Sequence, residues 1–282
     1  MGQPELRRII SGVADLPTLP RTVVRITEFV NDPKSSARDL ARLITDDQVM
    51  TARLLRIVNS SYYAFPQRIA TVTEAILLLG FDAIRHLLLT TSVFDLFPAR
   101  SRKGRREMEH LWDHSLGCAI GAKAIGRFLG HDKLEELFVA GLLHDIGKIV
   151  EMMKLPDRYA EVNRRVRDRN EPADRAEAQI LGFTHAEAGQ LLAEHWNLPA
   201  KLTGVIAHHH QPSAAGPFAA ETLVVHLADI LARALGLGSD GEDRVPPRDA
   251  AAWGGLKLAP GAYEAIMAAM LDEFDDIRSF LN

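Results

Sequence analysis

His144 and Asp145 stand next to each other directly after an apolar run at residues 137–143. A solvated polar pair is not expected at the end of such a run. An imidazole nitrogen and a carboxylate oxygen on adjacent residues are both common ligands of transition-metal ions. The pair therefore predicts a buried metal centre. The alternative interpretation is a hydrogen-bonded polar core that holds no ion.

A carboxylate within another apolar helix supports the metal hypothesis. Asp229 lies inside the apolar stretch 221–235, where an unpaired carboxylate would be costly to bury. A metal cation is one of the few partners that explains a carboxylate there. His226 lies on the same predicted helix, either beside the site or as a partly buried core residue.

Several histidines have spacings that would let them join the same site. His110 and His114 are four residues apart and share a helix face, although we expect His110 at the surface. His185 begins a later helix, and His209 and His210 end another. The isolated histidines are predicted to be surface or packing residues: His86, His131 and His195.

The candidate ligands are all nitrogen and oxygen donors, with no thiolate. Such a set suits iron or manganese, with zinc, nickel and magnesium as alternatives, and argues against a structural zinc site built from cysteines. Hydrolytic centres with two metal ions use the same donors. We therefore expect one or two divalent ions.

The elements that must position these residues are predicted to be helices throughout, because nearly every apolar segment has helical periodicity. Ser36 with Asp39, and Thr71 with Glu74, have the spacing of a capping box. Gly80 is a predicted helix stop. Thr184 is expected to cap the helix that begins at His185. The predicted fold is all-α.

The helices are expected to form an N-terminal bundle packed on a larger one. We predict an N-terminal helical subdomain at residues 1–100 and a second subdomain at residues 101–235 that holds the metal site. A polar loop and a C-terminal helix follow at residues 236–282. The basic segment 99–107 is interpreted as a solvated junction, and as a nucleic-acid arm only in a minor alternative, because no aromatic residue or motif accompanies it.

Composition excludes several classes of protein. The chain has 282 residues and a net charge of -4, so no global positive field attracts nucleic acid. Its one cysteine, Cys118, rules out an internal disulfide and fits a reducing compartment. No apolar stretch reaches the roughly 18 residues of a membrane span, and the first ten residues lack the apolar core of a secretory signal. We expect a soluble cytoplasmic protein.

The segment LLHDIGK at residues 142–148 resembles the signature of the HD superfamily of metal-dependent phosphohydrolases. The wider pattern is similar to the HDOD domain, with the matching segments in family order between about residue 10 and residue 235. These segments are LPTLP (16–20), TDDQVMTARLLRIVNSSYY (45–63), AILLLGFDAIRHL (75–87), LWDHSL (111–116), THAEAGQLLAEHWNLP (184–199) and HHHQP (208–212).

The resemblance implies a ligand set. HD-type proteins hold one metal on a first histidine, the His-Asp pair and a late aspartate, which match His114, His144, Asp145 and Asp229. The related HD-GYP phosphodiesterases add a second metal, whose ligands match His185, His209 and His210. Lys148 matches a lysine that contacts the substrate phosphate in those enzymes; the alternative for Lys148 is a solvated lysine near a helix end.

The chain also departs from the HD-GYP enzymes. Their His pair is followed by an acidic residue and a Gly-Tyr-Pro element, whereas this chain has HHHQPSAAGPF at residues 208–218. Three consecutive histidines leave open which two of His208, His209 and His210 face the site, because successive helical residues point about 100° apart.

The resemblance therefore implies a bacterial signal-transduction module that is non-catalytic. It would act through protein partners in trans or by sensing a nucleotide or cyclic dinucleotide, with no membrane or nucleic-acid partner. The alternative is an active metal-dependent phosphohydrolase that uses a mononuclear or dinuclear His/Asp centre.

Overall fold

The structure is a computed structural model, and it describes residues 36–59, 65–95, 102–239, 255–259 and 261–281, together with the single positions 6, 63, 245 and 249. The segment LPTLP and most of the polar loop after residue 239 lie outside the described residues.

The chain divides into two compact units. The larger unit comprises Met1–Leu16 and Phe97–Met270, and the smaller unit comprises Pro17–Leu96 and Leu271–Asn282. The prediction of an all-α fold is confirmed, since the described residues contain helices and no strand.

Three helices of the smaller unit have described bounds: α1 (Ala37–Thr45), α2 (Gln48–Val58) and α3 (Val72–Asp95). Ser36 caps α1 by accepting a hydrogen bond from the backbone N–H of Asp39. Thr71 caps α3 in the same way, and Glu74 reaches back to the Thr71 N–H. The helical run of α3 is broken at Gly80, whose φ of 84° lies in the region that glycine tolerates best. The predicted caps and the predicted stop are therefore present.

The larger unit contains the remaining described helices. They are α4 (Arg102–Phe128), α5 (Leu134–Leu143), α6 (Ile146–Lys154), α7 (Pro156–Arg169), α8 (Ala173–Ile180), α9 (His185–His195), α10 (Ala200–His208), α11 (Ala219–Ala234) and the first part of α12 (Ala262–Leu281). Two short 3-10 turns, Pro212–Ala214 and Gly216–Phe218, join α10 to α11.

The centre of the larger unit is the helix α4, which packs against α5 and α11. Small residues allow this close packing. A side chain at Gly141 of α5 would come within 2.8 Å of the Ala119 Cα atom of α4. Cys118, on the same stretch of α4, is buried, as expected for an inert core residue.

The prediction of a solvated junction at residues 99–107 was wrong from Arg102 onward, because α4 begins at that residue. Arg, Lys and Glu are good helix formers, and no proline interrupts this stretch. The first turns of α4 are exposed while the later turns are buried. The basic residues are therefore the solvated start of the helix that carries His114.

None of the described helices combines the length and the apolar character that a membrane crossing requires.

Candidate metal centre

All seven predicted ligands lie together inside the larger unit. His114 lies in the middle of α4, and Asp229 lies inside α11. His144 and Asp145 form the break between α5 and α6, and His185 begins α9. His209 and His210 directly follow the end of α10. These residues form three overlapping groups, and within each group the possible ligand atoms lie within 4.8 Å of one another, as metal ligation would require. The groups are His114 with His144 and Asp229, His144 with Asp145 and His209, and His185 with His209 and His210.

The close approach of α6 and α9 brings Asp145 to His185. A Cβ atom at Gly147 would lie 1.8 Å from the His185 carbonyl oxygen and 2.6 Å from the Gly189 nitrogen. Only glycine fits such a crossing, since Cβ atoms do not approach backbone atoms this closely. The result is a distance of 3.2 Å from Asp145 Oδ1 to His185 Nε2.

His114 is held against the segment that follows α11. Gly238 has a φ of 70°, and a Cβ there would lie 2.2 Å from the backbone nitrogen of His114. The neighbouring Ser239 N–H donates to the His110 carbonyl at 3.1 Å. The His110 side chain itself is exposed, as predicted.

The first part of the cluster gathers around Asp229. His114 Nε2 lies 3.0 Å from Asp229 Oδ1, and His144 Nε2 lies 3.9 Å from the same oxygen. We call His114, His144 and Asp229 the Asp229 side of the centre.

The second part gathers around Asp145. His185 Nε2 lies 3.2 Å from His209 Nε2 and 2.8 Å from His210 Nε2. Asp145 Oδ1 is 3.5 Å from His209 Nε2. We call Asp145, His185, His209 and His210 the Asp145 side. The choice among the three consecutive histidines is thereby made, because His209 and His210 meet His185 while His208 belongs to no such group among the described residues.

The ring orientations show that lone pairs converge. His144 Nδ1 is 2.6 Å from the Gly141 carbonyl, and His209 Nδ1 is 2.8 Å from the Ile206 carbonyl. Because a carbonyl can only accept, each Nδ1 carries the proton and each Nε2 presents a lone pair to the interior. Inward-facing imidazole lone pairs suit a metal cation.

Buried polar atoms without a hydrogen-bond partner are concentrated in this cluster. They include both ring nitrogens of His114, His144 Nε2, both Asp145 carboxylate oxygens and Asp229 Oδ2, although His114 Nε2 lies at ion-pair distance from Asp229 and Asp145 Oδ2 at ion-pair distance from Lys148. Buried polar groups are normally hydrogen-bonded, and a group of exceptions calls for an explanation such as an ion. The donor set and these buried atoms without hydrogen bonds fit a divalent metal, while the metal itself and its identity stay predictions.

Two buried cations accompany the carboxylates. Lys148 Nζ lies 3.1 Å from Asp145 Oδ2, and Arg233 Nε lies 2.8 Å from Asp229 Oδ1. The alternative of a solvated Lys148 was wrong, since its side chain is 2% exposed. Burial would raise the pKa of Asp145, but Lys148, with His144 and His185, outweighs it and lowers that pKa. Arg233 with His114 does the same for the pKa of Asp229.

Glu177 of α8 also belongs to the buried His/Asp cluster, and the sequence analysis did not identify it. Both of its carboxylate oxygens lie within 2.8 Å of His185 Nδ1, and one accepts from the His185 backbone N–H. Burial alone would lower the pKa of His185, but the Glu177 carboxylate outweighs it and raises that pKa. No spacing in the sequence links Glu177 to the site. Arg233 was missed although it follows Asp229 at the i, i+4 spacing of helical ion pairs.

His226 supports the end of α10 through the backbone. Its Nδ1 donates to the His209 carbonyl at 2.8 Å, and its Nε2 accepts from the Asp249 N–H at 3.0 Å. Both ring nitrogens are therefore used, and His226 lies beside the centre rather than in it. Of the isolated histidines, His195 is exposed and His131 is half-buried, while the His86 side chain lies outside the described residues.

We predict that the metal-free protein loses stability in mild acid. Burial lowers the pKa of His144 to about 3 and also lowers the pKa values of His114 and His210. These rings stay neutral in the folded protein but take up protons in the unfolded chain below about pH 6.5. The free energy of unfolding therefore falls as the pH drops below about 6.5, by up to about 1.4 kcal/mol per pH unit for each such ring.

Two groups oppose this trend. The raised pKa of His185 contributes stability that is lost as the pH rises through its folded value. The pKa of Glu151, raised by burial and then by Glu177, acts in the same direction. In this cluster, three histidine rings have lowered pKa values, and these two groups have raised ones. We therefore expect a lower melting temperature at pH 5.0 than at pH 7.0 in the presence of a chelator. His144→Asn should reduce the difference, and an unchanged or inverted difference would contradict the assignment.

Comparison with known proteins identifies relatives of this chain. The model of the HDOD domain family matches residues 16–212. A crystal structure of an HDOD domain protein of unknown function from Geobacter sulfurreducens is 29% identical, with a TM-score of 0.77 over 98% of this chain and 95% of that one. A protein from Shewanella amazonensis SB2B, provisionally named a phosphohydrolase, is 23% identical, with a TM-score of 0.77 over 100% and 99% of the two chains.

An uncharacterized protein of Treponema pallidum is 25% identical over 203 residues, which is 72% of this chain. The match spans only 39% of the length of that protein. The family match covers well over half of the chain, and the fold of the Geobacter protein agrees with it along nearly the whole length. The chain therefore belongs to the HDOD domain family.

Proposed function

We propose that this chain is a bacterial signal-transduction module whose His/Asp centre holds a divalent ion, iron or manganese, without turning over a substrate. It would act in the cytoplasm through protein partners in trans or by sensing a nucleotide. One observation carries the proposal: six of the seven candidate ligands are at most 1% exposed, and the seventh, His210, is half-buried. A phosphodiester would have to reach ligands that the surrounding helices cover.

The charges of the cluster support the same proposal. Lys148 and Arg233 each neutralise one of the two central carboxylates, and Glu177 is paired with His185. Buried ions are tolerated when they are paired. The folded protein would thus exist with and without the ion, and loading the centre would act on the helices α4, α9, α10 and α11 and on the break between α5 and α6, which position its ligands.

The alternative is a metal-dependent phosphohydrolase, and the complete ligand set favours it. A divalent ion in such a centre lowers the pKa of a bound water and stabilises charge on a phosphate. Asp145 and the three histidines of the Asp145 side would then hold the ion, and Lys148 would have to leave Asp145 to contact a phosphate. This requirement counts against turnover in the conformation described.

The decisive experiment pairs metal analysis with hydrolysis. Purified wild-type chain, His185→Ala and the exposed control His195→Ala would be loaded with Mn²⁺ or Fe²⁺ under anaerobic conditions, and ion content would be measured. Each would then be incubated with bis(p-nitrophenyl) phosphate. We expect bound metal in the wild type and in His195→Ala, a loss of at least about tenfold in affinity in His185→Ala, and no turnover in any of them.

Two outcomes would overturn the proposal. Turnover by the wild type and His195→Ala that disappears in His185→Ala would establish the phosphohydrolase. Absence of metal from the folded wild type would remove the ion from the function.

A further inference from the structure

The two sides of the centre differ in the charged groups that surround them. On the Asp229 side, the partner of the carboxylate is Arg233. On the Asp145 side, Lys148 pairs with the carboxylate and Glu177 stands behind His185. This difference bears on how many ions the centre can hold and where.

The Arg233 guanidinium is fixed against Asp229. Its Nε atom lies 2.8 Å from Asp229 Oδ1, its side chain is 3% exposed, and both residues belong to α11. An arginine keeps its charge at any pH that proteins tolerate. A divalent ion held by His114, His144 and Asp229 would therefore lie close to a permanent positive charge in a region with little water, where repulsion between charges is strong.

On the Asp145 side, a negatively charged group stands next to one of the histidines. The Glu177 carboxylate accepts from His185 Nδ1, and a carboxylate behind a ligating histidine fixes the ring and strengthens it as a donor. The Ile206 carbonyl orients His209 in the same way. These contacts direct two imidazole lone pairs toward the interior.

On this side, Lys148 contacts one oxygen of the Asp145 carboxylate, and the other oxygen faces the histidines. Lys148 Nζ is 3.1 Å from Asp145 Oδ2, whereas His185 and His209 are nearest to Asp145 Oδ1. A lysine is also a point charge on a flexible stem and is able to swing away from an incoming ion, whereas the planar guanidinium of Arg233 is held against Asp229. The repulsion on the Asp145 side is therefore easier to relieve.

We propose that Arg233 restricts the centre to a single ion, held by Asp145, His185, His209 and His210, with the guanidinium taking the place of an ion on the Asp229 side. This inference rests on the proposed function, since it assumes that the centre binds metal. It deepens that function by making Arg233 the residue that sets the number of ions.

The test counts ions and does not depend on activity. Apo protein would be titrated with Mn²⁺ by isothermal titration calorimetry, and the metal content would be measured after gel filtration. We expect one Mn²⁺ per chain in the wild type and in Arg233→Lys, which keeps the positive charge. Arg233→Met should bind two Mn²⁺, because the unpaired Asp229 carboxylate then becomes a ligand.

A pair of ligand variants locates the single ion. His114→Ala should keep one Mn²⁺ with an affinity within about threefold of the wild type, whereas His185→Ala should lose at least about 100-fold. This pair decides the location without any change at Arg233, so the proposal stays testable if Arg233→Met does not fold by circular dichroism.

Three results would overturn the inference: two ions in the wild type, one ion in a folded Arg233→Met, or loss of the single ion in His114→Ala. Each of these leaves the proposed metal-bearing module standing. If no variant binds Mn²⁺ or Fe²⁺, both the inference and the metal part of the proposed function fail.

Discussion

Gly147→Ala is expected to destabilise the protein by at least about 3 kcal/mol, because the added methyl group would collide with backbone rather than with a movable side chain. The new Cβ would lie 1.8 Å from the His185 carbonyl oxygen. The helices α6 and α9 would have to separate, and Asp145 would move away from His185. Urea denaturation of the metal-free protein, followed by circular dichroism, measures the effect.

Gly204→Ala is the matched control. A Cβ at Gly204 of α10 would lie 2.6 Å from a ring carbon of Phe218, and this half-buried ring is able to turn aside. Alanine also favours a helix interior over glycine by roughly 0.5–1 kcal/mol. We expect a change smaller than about 1 kcal/mol. Equal stability of Gly147→Ala and the wild type would show that α6 and α9 do not cross as closely as described.

Asp145→Ala is expected to have the second large effect, on both stability and metal binding. Asp145 lies between the two halves of the cluster, 3.1 Å from Lys148 Nζ and 3.2 Å from His185 Nε2. Its removal breaks the buried ion pair with Lys148, and breaking such a pair from one side costs about 3–5 kcal/mol. It also removes a ligand of the ion proposed on the Asp145 side. Denaturation of the apo protein and Mn²⁺ titration measure the two effects separately.

Two further variants separate the charge from the shape. Asp145→Asn keeps the size of the side chain but not its charge, so we expect it to fold better than Asp145→Ala and still to bind Mn²⁺ poorly. Asp157→Ala removes an exposed carboxylate at the start of α7 and should cost less than about 1 kcal/mol. If Asp145→Ala were as stable as Asp157→Ala, the ion pair with Lys148 would not be formed in solution.

The sequence could predict those features that depend on a few neighbouring residues. The caps at Ser36, Thr71 and Thr184 and the helix break at Gly80 follow from short-range hydrogen bonding and backbone sterics. The seven residues that converge were selected by the resemblance to HD-type proteins, and the spacing of histidines and aspartates along predicted helices only made their convergence plausible. The prediction failed at Arg102, where a charged segment was interpreted as a junction although its residues favour a helix.

The sequence by itself determined an all-helical chain of the HDOD family and the types of donor atom in its centre, because periodicity, caps and residue chemistry are local properties. Only the tertiary structure decided that His209 and His210, rather than His208, face His185. It also buried Lys148 and brought in Glu177 and Arg233 as partners of the ligands. These outcomes depend on how closely distant helices approach, and the contact of α6 with α9 at Gly147 is set by packing that no local pattern encodes.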